Sequence, residues 1–159
     1  MDELRRALRR LAKAVAVITS SYEGNRYAMA ATAVSELSLD PPSMLVCVNR
    51  NASIYFPLAA GAPFAINILH HSQREIANRC AGAVKGEERF LQGDWTNTNL
   101  DIPRLGESQA SIACQNVRQI QHGSHAIFIG VVDEIFVCGG VDPLIYLDGR
   151  YTRAQALEL

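Results

Sequence analysis

Seven short segments of apolar, β-branched and small residues recur along the chain, and they constrain the fold more than any other feature. They are residues 14–20, 27–34, 43–48, 64–69, 111–120, 126–138 and Leu144–Leu147. Few helical patterns stand between these segments, which argues against a doubly wound parallel sheet, where strands and helices alternate. We therefore predict a mainly β or α+β fold, an antiparallel barrel with a few peripheral helices.

The first helical pattern lies at the N-terminus. In residues 2–13, Leu4, Leu8 and Leu11 recur at helical spacing and basic residues cover the opposite face. We predict an amphipathic helix that packs outside the barrel. Its basic face could touch a phosphate, but a solvated surface is the simpler interpretation.

Two further helices are predicted between strands. Residues 52–60 form a short helix that begins near Ser53, a residue type that caps helices. A second helix begins at Ser72, with Glu75 three residues later in a capping-box pattern. Residues 81–99 are polar and glycine-rich, which indicates a lid or crossing loop with one helical turn.

Turn residues connect the first three predicted strands. The run 22–26 contains Glu-Gly-Asn and favours a hairpin. A serine-containing loop with Ser35 and Ser38 then leads to Pro41 and Pro42, which should stop both a helix and a strand ladder.

Composition narrows the class of protein. With 159 residues, 48% of them hydrophobic and 19% charged, the chain is expected to form a single soluble globular domain over 1–159. Its formal net charge of −1 gives no electrostatic reason to expect nucleic acid or an anionic membrane as partner. Four separated cysteines and the lack of a signal-like start favour reduced thiols and a cytoplasmic protein.

Several catalytic and metal motifs are missing from the sequence. There is no Gly-x-Gly-x-x-Gly, no Walker loop and no Gly-x-Ser-x-Gly elbow. His122 and His125 could suggest a metal, but residues three apart in one strand point to opposite faces. We therefore predict no metal site and no catalytic side chain. If the protein is an enzyme, a bound cofactor carries the chemistry.

The strongest candidate for a ligand site is the stretch 29–53. It starts with small residues, which let a flat ligand approach the backbone, and ends with the polar run 49–53. Hydroxyls, amides and the guanidinium of Arg50 could hold a phosphate. Ordinary barrel wall is the alternative that these residues alone leave open.

The order of these motifs resembles the flavin reductase family of the FMN-binding split barrel. The segments that carry the resemblance are AVAVITS, ATAVSELSLDPPSMLVCVNRNAS, FAINIL, Glu88-Arg89-Phe90, Gly123-Ser124-His125 and PLIYLDGRY. Together they extend over nearly the whole chain. The resemblance implies an antiparallel split barrel that binds FMN or FAD.

The resemblance also implies residue roles. The flavin-side candidates are Ala31, Thr32, Ala33, Val34, Ser35, Val48, Asn49, Arg50, Asn51, Ser53, Tyr55, Arg89 and Phe90. His125 and Tyr151 match residues on the NADH side. Two positions depart from the family: Ala28 and Ala30 stand where Gly and Thr are common, and Ser124 replaces an Asp.

The activity implied by the resemblance is NAD(P)H-dependent flavin reduction, with NADH favoured over NADPH because the sequence shows no dedicated 2′-phosphate cluster. The reduced flavin would serve a separate monooxygenase, for example an aromatic hydroxylase such as 4-hydroxyphenylacetate 3-monooxygenase. A homodimer is implied as well. The alternatives are a reductase of a corrinoid or ferric chelate, and a non-catalytic flavin- or haem-binding split barrel.

Overall fold

Antiparallel β-structure dominates the computed structural model, which describes residues 1–158. The strands are β1 (Lys13–Ala14), β2 (Ala16–Tyr22), β3 (Asn25–Ala31), β4 (Val34–Leu39), β5 (Pro42–Asn49), β6 (Phe64–Ile68), β7 (Trp95–Asn97), β8 (Pro103–Leu105), β9 (Ala110–His122), β10 (His125–Val137), β11 (Leu144–Leu147) and β12 (Arg150–Arg153). The helices are α1 (Asp2–Leu8), α2 (Tyr55–Ala59) and α3 (Arg74–Asn78), and single helical turns cover His71–Gln73, Arg79–Ala83 and Gly86–Phe90.

Seven strands form one curled sheet in the order β3-β2-β6-β9-β10-β5-β4. Its two edge strands, β3 and β4, follow each other in sequence with only Thr32 and Ala33 between them. Three extended residue steps span at most about 11 Å, so the edges must meet at this end of the sheet. No ladder joins β3 to β4 among the described pairings, so the barrel is split there. The predicted antiparallel split barrel is confirmed.

The barrel interior is filled by side chains from facing strands. Phe64, Ile66, Val46, Val48 and Phe128 are fully buried within one cluster. Because strand side chains alternate between the two faces, every second residue of these strands can contribute to this cluster. The pattern explains why the predicted strand segments look so apolar.

A second apolar cluster covers the outside of β2. Val17, Leu69, Ile76 of α3 and Leu105 of β8 pack there. Asn67 stabilises this layer from within, because its amide donates to the Val17 carbonyl at 3.0 Å and its side-chain oxygen accepts from the Leu105 backbone N–H at 3.0 Å. The outer elements are therefore fixed to the barrel by apolar burial and by a satisfied buried amide.

The N-terminal helix differs from the prediction. Helix α1 ends at Leu8 rather than near Lys13, because β1 pairs with β11 through Lys13 and Tyr146. Moreover, no residue of α1 is buried, and Leu4 and Leu8 are 58% and 46% exposed. The helix is therefore peripheral, as predicted, but it is only lightly packed, and Arg9 at its end forms an ion pair with Asp148.

The predicted loop around Ser35 is also wrong. Residues Val34–Leu39 form the edge strand β4, where Ser35 pairs with Leu45 of β5. Most of this edge strand is exposed, including Leu37 and Leu39. The ladder resumes at Pro42 itself, the first residue of β5, where a proline is tolerated.

Helix starts were predicted at the wrong residues. Ile54, not Ser53, precedes α2, and no side chain caps it. The capping box predicted for Ser72 and Glu75 is instead formed by His70 and Gln73. The predicted helix end before Gly61 holds, with Gly61 at φ +89°.

The sequence interpretation missed three short strands, β7, β8 and β12, all outside the main sheet. It also misplaced the two histidines near residue 123. His122 ends β9 and His125 begins β10, so they stand directly opposite each other across a two-residue turn. Opposite residues of an antiparallel pair share one face, so the argument that separated them is wrong.

No helix within residues 1–158 is both long and apolar enough to span a membrane.

Candidate functional site

A cavity of about 470 Å³ lies beside the edge strand β3. One wall is the edge strand β3 from Asn25 to Ala28, and the opposite wall is the loop after β5 with Asn51 and Ser53. The helical turn Gly86–Phe90 contributes the third side. Because β3 is an edge strand, no ladder pairs its outer side among the described residues, and the turn Gly86–Phe90 lies beside it there.

The cavity is lined by three basic side chains and one acidic one. The basic residues are Arg26, Lys85 and Arg89, and the acidic residue is Glu87. Arg26 forms an ion pair with Glu87, and its guanidinium lies 4.2 Å from the centre of the Phe90 ring. Such a basic, partly enclosed cavity attracts an anion of phosphate type.

Arg89 is held in place by backbone carbonyls. Its Nε donates to the Val84 carbonyl at 3.1 Å, and its Nη1 donates to the Ala28 carbonyl. Among the ion pairs of residues 1–158, Arg89 and Lys85 take part in none. The positive charge of Arg89 is therefore fixed next to β3 and remains available to a bound anion.

The polar groups opposite Arg89 come from the run after β5. Asn51 and Ser53 line the cavity and are exposed. Since Ser53 does not cap α2, its hydroxyl is free to bond a ligand instead of the helix. The predicted residues Asn51, Ser53 and Arg89 are thus brought to one cavity.

A second group of predicted residues lies at the other end of β3. Thr32, Val34 and Ser35 line a cavity of about 330 Å³ between β2, β4 and β6. Ala31 and Val34 pack against the barrel core, and the Ala33 carbonyl accepts from the Cys47 amide at 2.9 Å. The Ser35 hydroxyl donates to the Glu36 carbonyl at 2.9 Å.

The chain of β3 runs from the first cavity to the second. Ala28 borders the first and Thr32 borders the second. Four residues of extended strand cover about 13 Å. A flat ring system joined to a phosphate by a short chain could lie along this small-residue strand.

Asn49, Arg50 and His125 form a third group at the end of β5 and β10. Asn49 pairs with His125 across the ladder, and Arg50 donates to the Gly123 carbonyl at 3.3 Å. The Ser124 hydroxyl lies 2.8 Å from Nδ1 of His125. Arg50 does not line the 470 Å³ cavity, so its predicted phosphate contact gains no support from this arrangement.

Three other predicted residues mainly pack. The Val48 side chain is fully buried in the barrel core. The Tyr55 ring stacks edge-on against Phe128 at 5.9 Å, and its hydroxyl accepts from Gln121 at 2.7 Å. Phe90 is buried and supports the cavity from below through its contact with Arg26.

Tyr151 lies on β12, away from the lining of the first cavity. Its ring stacks edge-on against Tyr146 at 5.5 Å. Burial raises the pKa of the Tyr151 hydroxyl, so it stays a neutral hydrogen-bonding group at physiological pH.

Sequence reasoning missed Arg26, Lys85 and Glu87. Arg26 was assigned to a turn, and Lys85 and Glu87 to a crossing loop. A usable signal was present, because charged residues flank Gly86 on both sides just before Arg89 and Phe90. Only the contact between this segment and β3 shows that the charges share a cavity.

One group of three possible metal ligands occurs within residues 1–158, formed by His70, His71 and Asp142. Asp142 and His70 already have hydrogen-bond partners, whereas Nδ1 of His71 is buried and makes no hydrogen bond of acceptable geometry. Arg153 donates to both oxygens of Asp142, and the His70 ring nitrogen accepts from the Ser72 backbone N–H at 3.2 Å. His71 lies 3.0 Å from the Asp142 carboxylate. The arrangement fixes the chain before β11 to the end of β6.

The fold is an antiparallel barrel that is open at one split, and a basic cavity lies beside its edge strand β3. The family model described as "Flavin reductase like domain" matches residues 8–155. The chain therefore belongs to the flavin reductase family.

Named relatives agree with this family. The chain is 34% identical to the reductase component of an FADH(2)-dependent resorcinol hydroxylase from Rhizobium sp. (strain MTP-10005), over 99% of this chain and 89% of that protein. It is 35% identical to the FMN reductase (NADH) RutF of Methylorubrum populi, over 92% of this chain and 73% of that protein.

A solved structure gives the same result for the fold. The NADH:FAD oxidoreductase SgcE6 of Streptomyces globisporus C-1027 superposes with a TM-score of 0.90 at 26% identity. The match covers 98% of this chain and 93% of SgcE6. The similarity thus extends over the barrel and its outer elements alike.

Proposed function

We propose that this protein is an NADH-dependent flavin reductase that supplies reduced flavin to a separate oxygenase. The observation that carries the proposal is the basic cavity beside β3, with the fixed charge of Arg89 facing Asn51 and Ser53. Relatives named as an FMN reductase (NADH) and an NADH:FAD oxidoreductase support the nicotinamide cofactor.

The residues present fit a flavin. Arg89, Lys85 and Ser53 suit its phosphate, and the alanines of β3 let a flat ring approach the backbone. The bound flavin supplies the hydride acceptor. The chain itself contributes by holding the phosphate at one end of β3 and by orienting the ring near Thr32 and Ser35, so that a dihydronicotinamide can lie against it.

His125 and Tyr151 are proposed to bind the nicotinamide. Within a single subunit, neither lines the cavity that holds Arg89 or the cavity beside Thr32 and Ser35. A site shared by two subunits would resolve this separation. We therefore include a homodimer in the proposal.

Exposed apolar side chains support the homodimer. On α1, Leu4 and Leu8 are 58% and 46% exposed, and near the end of β9 Val117 and Ile120 are 56% and 42% exposed. Covering such apolar surface with a second copy is favourable. Light scattering during size exclusion measures the mass, and Val117→Asp with Ile120→Asp should yield monomers if β9 forms the interface.

A separate oxygenase and a cytoplasmic location complete the proposal. The resorcinol hydroxylase relative is named as a reductase component, which supports a partner that consumes reduced flavin. All four cysteines are free thiols, as expected in a reducing compartment. 4-Hydroxyphenylacetate 3-monooxygenase remains one example of such a partner.

The test is NADH oxidation under anaerobic conditions with and without added FMN, FAD or riboflavin. Rapid NADH oxidation that requires added flavin supports the proposal, and the preferred flavin and nicotinamide follow from kcat/KM. A protein that binds flavin tightly but does not oxidise NADH would be a non-catalytic binder. Rapid reduction of a corrinoid or a ferric chelate without added flavin would point to those acceptors.

A further inference from the structure

The phosphate cavity contains one carboxylate, that of Glu87, among three basic side chains. The Glu87 carboxylate pairs with the guanidinium of Arg26, whose central carbon lies over the Phe90 ring, 4.2 Å from its centre. Lys85 and Arg89 take part in none of the ion pairs of residues 1–158. The cavity therefore holds one cation that is already neutralised and two that are not.

Arg26 is the less mobile partner of this ion pair. Its side chain is 37% exposed and is supported by the Phe90 ring, whereas the side chain of Glu87 is 62% exposed. Glu87 lies on the helical turn Gly86–Phe90, which begins at a glycine with φ +55°. Its carboxylate can therefore turn towards solvent while Arg26 stays in the cavity.

A phosphate that enters the cavity meets Glu87 in two ways. To contact Arg26 it must take the guanidinium away from the carboxylate, and it is repelled by that carboxylate for as long as both remain in the cavity. Both effects weaken phosphate binding. A reductase that passes reduced flavin to another protein must let it leave after every turnover, and tight phosphate binding would slow that step.

We propose that Glu87 competes with the flavin phosphate for Arg26 and thereby sets how fast flavin leaves the protein. This inference rests on the proposed function for the identity of the ligand. The competition itself concerns any phosphate that occupies the cavity.

Because the ion pair is partly exposed, the expected effect is moderate. Exposed ion pairs contribute little, and loss of both the competition and the repulsion corresponds to about threefold to tenfold in affinity. Salt screens partly exposed charges, so the effect should shrink as ionic strength rises.

The experiment compares Glu87→Gln with the matched variant Glu88→Gln. Both changes remove one negative charge from the same turn, but Glu88 does not line the cavity. FMN and riboflavin, which differ in the phosphate, are titrated by flavin fluorescence. We expect Glu87→Gln to bind FMN threefold to tenfold more tightly and to release it more slowly by a similar factor, with riboflavin unchanged and Glu88→Gln like the wild type.

Two results would overturn the inference. One is unchanged or weaker FMN binding by Glu87→Gln. The other is an equal gain in Glu88→Gln, which would indicate a general effect of net charge. Titration with inorganic phosphate, followed by phosphorus NMR, measures phosphate binding in the absence of flavin. If the wild type binds no flavin, the proposed function fails, whereas the role of Glu87 still stands or falls on whether Glu87→Gln tightens inorganic phosphate binding.

Discussion

Arg89→Ala is the most direct test of the proposed phosphate site. The Arg89 guanidinium lines the basic cavity and is oriented by the carbonyls of Val84 and Ala28. A charge-assisted hydrogen bond to phosphate contributes about 1.5–3 kcal/mol. Its loss should weaken FMN binding by about tenfold to a hundredfold.

The same substitution should also lower stability. The carbonyls of Val84 and Ala28 each lose a donor in a partly buried position. At about 0.5–1.5 kcal/mol for each bond, the free energy of unfolding should fall by about 1–3 kcal/mol. For a chain of this size, that corresponds to a Tm lower by roughly 3–10 °C.

Riboflavin separates the two effects of the substitution. It lacks the phosphate, so Arg89→Ala should change riboflavin affinity by less than about twofold if only the phosphate contact is lost. The matched control is Arg79→Ala, which removes an arginine that bonds the Glu88 carbonyl at 2.6 Å but does not line the cavity. This control loosens the same turn without removing the cavity charge.

Fluorescence titrations of both flavins, beside thermal melts, measure all of these quantities. Equal weakening of FMN and riboflavin in Arg89→Ala would refute a phosphate contact by Arg89. Equal weakening of FMN in Arg79→Ala would show that the order of the turn matters and the charge does not.

The remaining predictions concern packing, thiol reactivity and the nicotinamide. Gly130→Ala should lower the free energy of unfolding by about 1–3 kcal/mol, because a Cβ built there would lie 2.5 Å from Cβ of Cys114. An unchanged denaturation midpoint would contradict this packing. Exposed Cys138 should react with a thiol reagent at pH 8 before Cys80 and Cys114, because burial raises the pKa of Cys80 to about 11 and that of Cys114 to about 12 and keeps both protonated. Labelling of the native protein followed by mass spectrometry checks the order, and equal rates at these three of the four thiols would contradict it. His125→Ala should lower kcat/KM for NADH by about tenfold to a hundredfold while flavin affinity stays the same. A loss of thermal stability with unchanged kinetics would show that this histidine only supports the strand end.

The sequence by itself determined the architecture of this protein. The apolar segments that contain Val17, Val46, Ile66 and Phe128 became strands because β-branched and aromatic residues suit a pleated, buried surface. Glu23 and Gly24, both with positive φ, form the predicted turn between β2 and β3. These are local preferences, and a local pattern is sufficient to predict them.

Element boundaries were decided by tertiary pairing. A helical pattern precedes Lys13 and Ala14 in the sequence. These two residues nevertheless pair with β11, and α1 ends at Leu8. Ser35 looked like a loop residue because its strand is short, lacks a regular alternation of polar and apolar residues, and pairs only with β5. A backbone hydrogen bond to a distant strand outweighs a weak local preference.

The residues of the candidate site also fall into those that the sequence could single out and those that only the fold brings together. Asn51, Ser53 and Arg89 could be singled out from the sequence, because polar and basic residues stood in segments that resemble a known family. Arg26 and Glu87 could not, because they are 61 residues apart and only the packing of the turn Gly86–Phe90 against β3 brings their charges together. Residue types and local patterns can be read directly from the sequence. The electrostatics of a cavity, in contrast, depend on which distant segments the fold places side by side.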